Sequence, residues 1–285
     1  IRKERVIKLA GTGTKNIFYT NSKNEIFNID KKIYNTNPYL SEIRFIETDG
    51  TNIYYGGSNA LYKNDLQIFD SGFKSFSIRN DSILTSTTFG LNFLSTENPK
   101  MLFIINQAKE KVDIHGRMFS VLLLDKLFYC GNENGLFYGH RSNRALNPIC
   151  LTDDQTTVTI NGVLESSDGL IWVATEGHGV FVLKDNIPIR HFSKELLDLN
   201  IHSMRIDNRN NIWLSTRLGL NKIEKFGSNY TVSSLTSYHG LPSDYVSDTY
   251  CHDDILYVAT DAGLVKVNLQ EINYKELRPL TFFMF

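Results

Sequence analysis

The chain of 285 residues is poor in cysteine and proline, with 3 and 6 residues respectively. Cys130, Cys150 and Cys251 are too few, and odd in number, to build a disulfide framework. No spacing of cysteine with cysteine or histidine is typical of a zinc site. We therefore expect each cysteine to be a small buried side chain, because free cysteine is among the residues most often found in protein cores.

An excess of one charge and long apolar runs are also missing. The 30 basic and 31 acidic side chains leave a formal net charge of −1, which argues against a nucleic-acid partner or a polybasic membrane patch. Apolar runs such as Leu170–Ala174 and Ile255–Ala259 fall far short of the roughly 20 residues of a membrane helix. The chain begins at Ile1, so we expect it to be a piece of a longer protein.

The motifs of common enzyme classes are absent as well. The sequence has no nucleophile elbow, phosphate-binding loop, HExxH zinc motif or dinucleotide fingerprint. Its acidic pairs, Asp153-Asp154 and Asp253-Asp254, are typical of solvated turns. We predict no catalytic residue, no metal and no cofactor.

Aromatic residues, in contrast, are abundant. The 18 Phe, 14 Tyr and 2 Trp bring the aromatic fraction to 12%, and 41% of the chain is hydrophobic. This composition is that of a folded globular protein, and aromatic residues favour β-strands. An all-β fold is therefore the first expectation.

An internal repeat predicts the fold more specifically than the composition does. The segments Asp168–Thr175, Asn211–Thr216 and Asp254–Thr260 each carry an aromatic residue within an apolar strand and are followed by a Gly-aliphatic pair. Looser copies lie upstream. Each copy has Ile or Leu before an anchor position and a small residue two positions after it. The seven anchors are Phe18, Tyr54, Leu84, Phe128, Trp172, Trp213 and Tyr257.

The mean anchor spacing is about 40 residues, so seven units fill nearly the whole chain. Each unit is predicted to form four short strands, A to D. The anchor lies on strand B, and the Gly-aliphatic pair begins strand C. Four-stranded units at this period predict an all-β, seven-bladed β-propeller of four-stranded blades. We assign residues 1–278 to the propeller and residues 279–285 to a last strand or to the start of a following domain.

The last three repeats resemble the two-component-regulator propeller repeat family. The resemblance is carried by Asp168–Thr175 with Gly179-Val180 and by Asn211–Thr216 with Gly219-Leu220. The segment His239–Asp244 looks like that family's linker between blades. Proteins of this family are mostly sensors of Bacteroidetes, with two propellers outside the inner membrane, an Ig-like domain, a membrane helix and a histidine kinase.

The resemblance implies a periplasmic, non-catalytic sensing module of a two-component sensor histidine kinase. Its expected ligand is an oligosaccharide derived from a glycan. Its expected partners are an adjacent propeller and an Ig-like domain of the same chain, with a homodimer left open and no nucleic acid. Under this reading, residues 279–285 look like the entry to the Ig-like domain.

Candidate ligand-binding residues come from the loops that share one end of a propeller, namely the B–C turns and the D–A connections. Side chains there converge near the axis, and function concentrates on loops held by a rigid scaffold. A mixture of polar side chains could bond sugar hydroxyls, with a tyrosine as a stacking platform. The candidates are Tyr39, Arg117, Asn132, Glu133, Glu176, His178, Arg217, His239 and Asp261.

Two alternatives to the sensor remain at the level of sequence. Propeller lyases and lactonases also use repeats of this kind, and Glu176 with His178 would be the best catalytic candidates here. A protein-interaction scaffold would instead be marked by a contiguous apolar patch on one face.

Overall fold

The computed structural model describes residues 5–13, 16–29, 33–34, 42–57, 59–70, 72–87, 90–95, 101–106, 119–142, 145–154, 156–272 and 283–284. Within these ranges the chain forms seven antiparallel sheets of four strands each. The sheets follow one another along the chain as the blades of a β-propeller, which confirms the predicted fold class.

Every blade has the strand order A-B-C-D, so neighbours in sequence are neighbours in the sheet. The strands of blades one to four are β1 (Val6–Thr12), β2 (Asn16–Asn21), β3 (Ile26–Asn28), β4 (Ile33–Tyr34), β5 (Ile43–Thr48), β6 (Ile53–Gly57), β7 (Leu61–Lys63), β8 (Leu66–Phe69), β9 (Ser75–Arg79), β10 (Ser82–Thr87), β11 (Gly90–Ser95), β12 (Met101–Asn106), β13 (Ser120–Leu123), β14 (Leu127–Asn132), β15 (Gly135–His140) and β16 (Leu146–Ile149).

Blades five to seven continue the same pattern. Their strands are β17 (Ile160–Glu165), β18 (Ile171–Thr175), β19 (Val180–Lys184), β20 (Ile187–Phe192), β21 (Ser203–Ile206), β22 (Ile212–Thr216), β23 (Gly219–Phe226), β24 (Asn229–Leu235), β25 (Val246–His252), β26 (Ile255–Thr260), β27 (Gly263–Asn268) and β28 (Phe283–Met284). Strand β28 pairs with β27, so the apolar end of the chain supplies the outer strand of blade seven. The domain boundary at residue 278 stays a prediction.

The buried core is divided among the contacts between blades. Seven clusters of buried apolar side chains each join two adjacent blades, from blades one and two round to blades seven and one. Trp172, for example, belongs to one cluster with Ile212 and Leu214 of blade six. One sheet cannot cover both of its own apolar faces, so each blade is stabilised by the next.

All seven predicted anchors lie on strand B. Six of them pack towards the following blade, whereas the anchor predicted in blade four packs towards the preceding one. There Phe128 belongs to the cluster with blade three, whereas Tyr129 belongs to the cluster with blade five. The pairing of Asn132 with Gly135 matches that of Thr216 with Gly219 in blade six, which makes Tyr129 the equivalent of Trp213. The predicted anchor is therefore wrong by one residue, and a shift of one residue moves a strand side chain to the opposite face.

The polar edges of several anchors are bonded to the end of strand A in their own blade. Trp213 Nε1 donates to Asp207 Oδ2 at 2.9 Å, and Tyr54 Oη donates to Asp49 Oδ2 at 3.1 Å. The same aspartates also accept backbone N–H groups of the A–B turn. One carboxylate thus closes the turn and satisfies a buried aromatic donor, which explains the Asp and Asn residues of the repeat.

Side-chain packing between blades one and seven closes the ring. Leu9 and Ile17 of blade one share a cluster with Tyr257 and Leu264 of blade seven. A Cβ at Gly11 would lie only 2.6 Å from the ring of Tyr250, so blade one has no side chain where this ring packs against it. Tyr250 Oη donates to Gly13 O at 2.9 Å across the same contact.

The cysteines follow the prediction only in part. Cys130 and Cys251 are buried, and burial raises the pKa of each thiol to about 12. Cys150 is exposed, because it lies just beyond β16 in the connection to blade five rather than on an inner strand. Among the described residues, no helix is long and apolar enough to cross a membrane.

Candidate functional site

The propeller has two ends with different loops. We call the end with the B–C turns and the D–A connections the B–C face, and the end with the A–B turns the A–B face. On the B–C face, the last threonine of strand B pins the turn in several blades. Thr175 Oγ1 donates to Gly179 O at 2.7 Å, and Thr216 and Thr260 repeat this bond with Gly219 and Gly263. The turn residues are therefore held in a defined geometry.

The predicted residues of blades four and five lie on these turns. Asn132 is buried, and its Oδ1 accepts from Asn134 N at 2.8 Å, so its side chain shapes the turn. Glu133 follows it and is half-buried, whereas Glu176 is exposed. His178 Nδ1 lies 3.2 Å from the backbone oxygen of Glu176, which ties this pair together within one turn.

Three predicted residues, Arg217, His239 and Asp261, lie on the loops of blades six and seven. Arg217 is exposed on its B–C turn and acts electrostatically on His202. Asp261 N donates to Tyr245 O at 3.3 Å. The side chain of His239 is bonded within its own loop, because its Nδ1 accepts from Thr236 N at 3.1 Å and caps a short turn of helix.

The remaining two candidates, Tyr39 and Arg117, lie outside the described residues. Their assignment to the ligand-binding face stays a prediction.

Three residues that the sequence analysis did not select form a cluster at the B–C face. The guanidinium of Arg5 lies over the ring of Tyr245, 5.1 Å from its centroid, and Arg5 Nη2 donates to Tyr245 Oη at 3.3 Å. The rings of His202 and Tyr245 are 5.2 Å apart, centroid to centroid. Blades one, six and seven each contribute one residue, and each residue directly precedes a strand A. We call this set the Arg5–Tyr245–His202 cluster.

Burial lowers the pKa of His202, and the nearby charges of Arg217 and Lys8 act in the same direction. A bond to the backbone of Val246 and the charge of Asp198 oppose the shift. The lowered pKa favours the neutral ring at pH 7, in which one nitrogen is a donor and the other an acceptor, and the bond to the Val246 backbone already engages one of them. The only signal in the sequence was position, because the residue before each strand A lies at the B–C end of the innermost strand.

A second constellation crosses the axis between the innermost strands. Arg205 of β21 binds Asp248 of β25 through Nε at 3.1 Å and Nη2 at 2.9 Å. Its Nη1 donates to Glu47 of β5 at 2.7 Å, and its Nη2 also donates to the backbone oxygen of Leu9 in β1 at 3.0 Å. One side chain thus joins blades six, seven, one and two, and we call this set the axial Arg205 network.

Asp248 is the buried centre of that network. Burial would raise its pKa, but the charges of Arg205 and Lys8 and the bonds from Arg205 and Ser203 outweigh burial and lower the pKa to about 2. Leu9 N also donates to its Oδ2 at 3.0 Å. The shift of register between Val246 and Asp248 is a β-bulge, which re-aims the side chains that follow it.

A cavity of about 500 Å³ lies on the axis beside this network. The inner strands of blades two to six line it, and it reaches solvent at the A–B turns of Asp49 and Asn80, which are exposed. The cavity therefore belongs to the A–B face, the opposite end from the loops selected from the sequence. Two further hollows lie on the B–C face, beside Asn134 and Thr156 and between Gly177 and Asn200. In the described part of the chain, no group of three acidic, histidine or cysteine side chains is placed to hold a metal ion.

Comparison by sequence finds no match: no family model fits the chain, and no curated protein matches it. Comparison by structure finds many propellers. The extracellular domain of BT4673 from B. thetaiotaomicron, described once as a putative one-component system and once as a putative hybrid two-component system, superposes with a TM-score of 0.73 at 17% identity. The match covers 93% of this chain and 38% of that one, so the chain spans little more than a third of that domain.

Two other solved structures have different functions. A streptogramin B lyase superposes with a TM-score of 0.72 at 12% identity, over 93% of this chain and 94% of the lyase. PorZ, a surface component of the type-IX secretion system of Porphyromonas gingivalis, superposes with a TM-score of 0.64 at 15% identity, over 100% of this chain and 39% of PorZ. These likenesses establish the propeller fold, and one fold hosts many functions.

Proposed function

We propose that the chain is a non-catalytic ligand-sensing propeller from the extracytoplasmic, periplasmic region of a two-component sensor histidine kinase, and that its ligand is an oligosaccharide released from a glycan. The fold likeness to the extracellular domain of BT4673 supports the sensor class. In the same proposal, an adjacent propeller and an Ig-like domain of the parent chain are its partners.

The observation that carries the proposal is the Arg5–Tyr245–His202 cluster on the B–C face. It combines an aromatic ring, a guanidinium and a neutral imidazole on three consecutive blades of the ring. Sugars are bound by such mixtures, because their C–H faces pack on aromatic rings and their hydroxyls bond to polar groups. Of the residues selected from the sequence, Asp261 donates its backbone N–H to the carbonyl oxygen of Tyr245, and the charge of Arg217 acts on His202.

The test is calorimetric titration of the intact sensor region with oligosaccharides from plant, host and microbial glycans. We expect at least one of them to bind, and we expect Tyr245→Ala to weaken binding at least tenfold by removing a hydrogen-bonded aromatic contact. Phe226→Ala is the matched control, because Phe226 is an exposed aromatic residue at a C–D turn, at the other end of the blade. Absence of binding to the intact region, or an equal loss in both variants, would count against the proposal.

A propeller lyase is the alternative favoured by the likeness to the streptogramin B lyase. Its acid–base pair would be Glu176 and His178, which share one turn. Glu176 is exposed there rather than set in a closed pocket, which favours binding over catalysis. Turnover of a sugar lactone or a cyclic peptide that is lost in both Glu176→Ala and His178→Ala would favour the enzyme.

An interaction scaffold is the third candidate. The exposed large apolar residues of the described chain are spread over blades two, five and six, with Leu218 and Tyr238 on the B–C face. Their spacing around the molecule gives little support to one contiguous docking patch.

A further inference from the structure

The axial cavity on the A–B face has the composition of a small-molecule site. Its volume of about 500 Å³ lies within the range of ligand pockets, and one side is aliphatic, lined by Ile78, Leu122, Leu164 and Met204. The other side carries the charged groups of Glu47 and Arg205. Apolar walls with a few convergent polar groups are what small-molecule sites usually present.

The arginines of the lining are already neutralised. Arg205 uses four of its five N–H donors on Asp248, Glu47 and the Leu9 carbonyl. Arg79 is paired with Asp125, Nε to Oδ1 at 3.0 Å. An anionic ligand would therefore have to displace a carboxylate from Arg205 or Arg79. That displacement would cost free energy, because the displaced carboxylate would lose its partner.

The carboxylates of the lining differ in what they can still accept. Asp49 accepts from the backbone of Thr51 and Asn52 and from Tyr54 Oη. Glu47 accepts one bond among the described residues, from Arg205 to Oε1, and its side chain is 42% exposed. The lining and the charges paired with it comprise four carboxylates and three cations, which leaves a formal charge of −1. The carboxylates are Glu47, Asp49, Asp125 and Asp248, and the cations are Arg79, Arg205 and Lys8. Of the two carboxylates that Arg205 binds, Glu47 lines the cavity. The local field therefore favours a cation over an anion.

We propose that the axial cavity binds a small organic cation, a molecule with an ammonium group that donates to Glu47 and an apolar body that packs on Leu122, Leu164 and Met204. This site is separate from the oligosaccharide site proposed for the B–C face, and neither depends on the other.

Three matched probes test the charge and the cavity together: n-hexylammonium, 1-hexanol and hexanoate, which share a chain and differ in the head group. The chain has 4 methionines, so methyl-¹³C-methionine NMR gives few signals, and Met204→Leu identifies the signal of Met204. We expect the Met204 signal to shift in titrations with hexylammonium. We expect hexanol to bind about tenfold more weakly and hexanoate more weakly still, because a charge-assisted hydrogen bond is lost.

Two substitutions separate the head group from the cavity. Glu47→Gln removes the charge while Arg205 keeps Asp248 and the Leu9 carbonyl, so we expect hexylammonium to fall to the affinity of hexanol. Glu224→Gln is the control, because Glu224 is ion-paired with Lys222 at 2.7 Å on a third strand, away from the axis. Leu122→Trp fills the cavity and should abolish the response to all three probes, with thermal unfolding checking the fold.

Three experimental outcomes would each contradict a different part of this proposal. No shift of the Met204 signal with any probe would overturn the site. Equal binding of hexylammonium and hexanol, or tightest binding of hexanoate, would overturn the assignment of a cation. Retention of the ammonium preference in Glu47→Gln would overturn the role of Glu47.

Discussion

At the scale of single residues, the most consequential group is the carboxylate of Asp248. It is fully buried, it accepts the backbone N–H of Leu9 in the next blade, and it holds Arg205 in two hydrogen bonds. Ser203 of blade six also donates to it, Oγ to Oδ1 at 2.5 Å. A buried charge left without partners is costly, so this residue of blade seven is tolerable only because blades one and six bring donors to it.

The lowered pKa of Asp248 predicts a specific acid sensitivity. A carboxyl whose folded-state pKa is about 2, against an ordinary value of 3.8, contributes stability above about pH 4 that is lost as the pH falls towards 2. The expected contribution is about 2 kcal/mol of unfolding free energy. Urea denaturation of the wild type and of Asp248→Asn between neutral and acidic pH should show the two curves converging in acid.

Asp125→Asn is the control for this titration. The pKa of Asp125 is also lowered, by Arg79, but its side chain is exposed and solvent screens the pair. Its curve should run nearly parallel to that of the wild type. A difference between wild type and Asp248→Asn that stays constant down to the lowest pH would contradict the buried ion pair.

At the scale of elements, the register of strand B decides which side chains fill the contacts between blades. The slip of one residue at Phe128 and Tyr129 could not be seen from sequence, because both residues are aromatic and both are followed two positions later by a small residue, Cys130 or Gly131. Strand pairing separates them. A Cβ at Gly131 would lie 2.3 Å from Ile160 of blade five, so this glycine marks the close approach that follows the true anchor.

The close approach between β1 and β25, where blade one also has a glycine, can be tested by substitution. Gly11→Ala would place a Cβ within 2.6 Å of Tyr250, whose hydroxyl is tied to Gly13, so the ring of Tyr250 must move. We expect a loss of about 1–3 kcal/mol of unfolding free energy from overpacking. Chemical denaturation measures it.

Gly162→Ala is the matched control on strand A of blade five. Its Cβ would meet Ala174 at 3.4 Å, an ordinary contact, so we expect stability within about 1 kcal/mol of the wild type and in the stabilising direction. Equal effects of the two substitutions would show that the close approach at Gly11 does not limit packing.

At the scale of the whole molecule, closure of the ring depends on the contact between blades one and seven, since each blade takes all four strands from one continuous part of the chain. The axial Arg205 network adds polar bonds across this contact and extends them to blades six and two. Breaking it should therefore loosen the ring locally before it unfolds the rest.

Hydrogen exchange can follow this opening. In Arg205→Met we expect the amides of β1 and β25 to lose protection, while those of β14 and β18 keep most of theirs. The overall cost should be about 3–5 kcal/mol, because Asp248 is left buried and unpaired. Arg190→Met, which removes an exposed pair with Glu195 at 3.5 Å, should change neither. Uniform loss of protection in all blades would show that the ring opens as one unit instead.

The repeat in the sequence was sufficient to determine the fold class, the number of blades and the strand on which each anchor lies. It succeeded because every blade must bury the same kinds of side chain against its neighbour, so the same spacing recurs along the chain. Six of the seven anchors could be aligned from sequence alone for that reason. The turn residues of the B–C face followed from the same alignment, although their use in ligand binding stays a prediction.

Only the tertiary structure brought Arg5, His202 and Tyr245 together, joined Arg205 to Asp248, Glu47 and Leu9, and placed the axial cavity at the A–B face. These residues are separated by up to 240 positions along the chain. Their meeting is set by the closure of the ring around its axis. Local periodicity records which side of a strand is buried, but it carries no information about which charged groups of distant blades face each other across the axis.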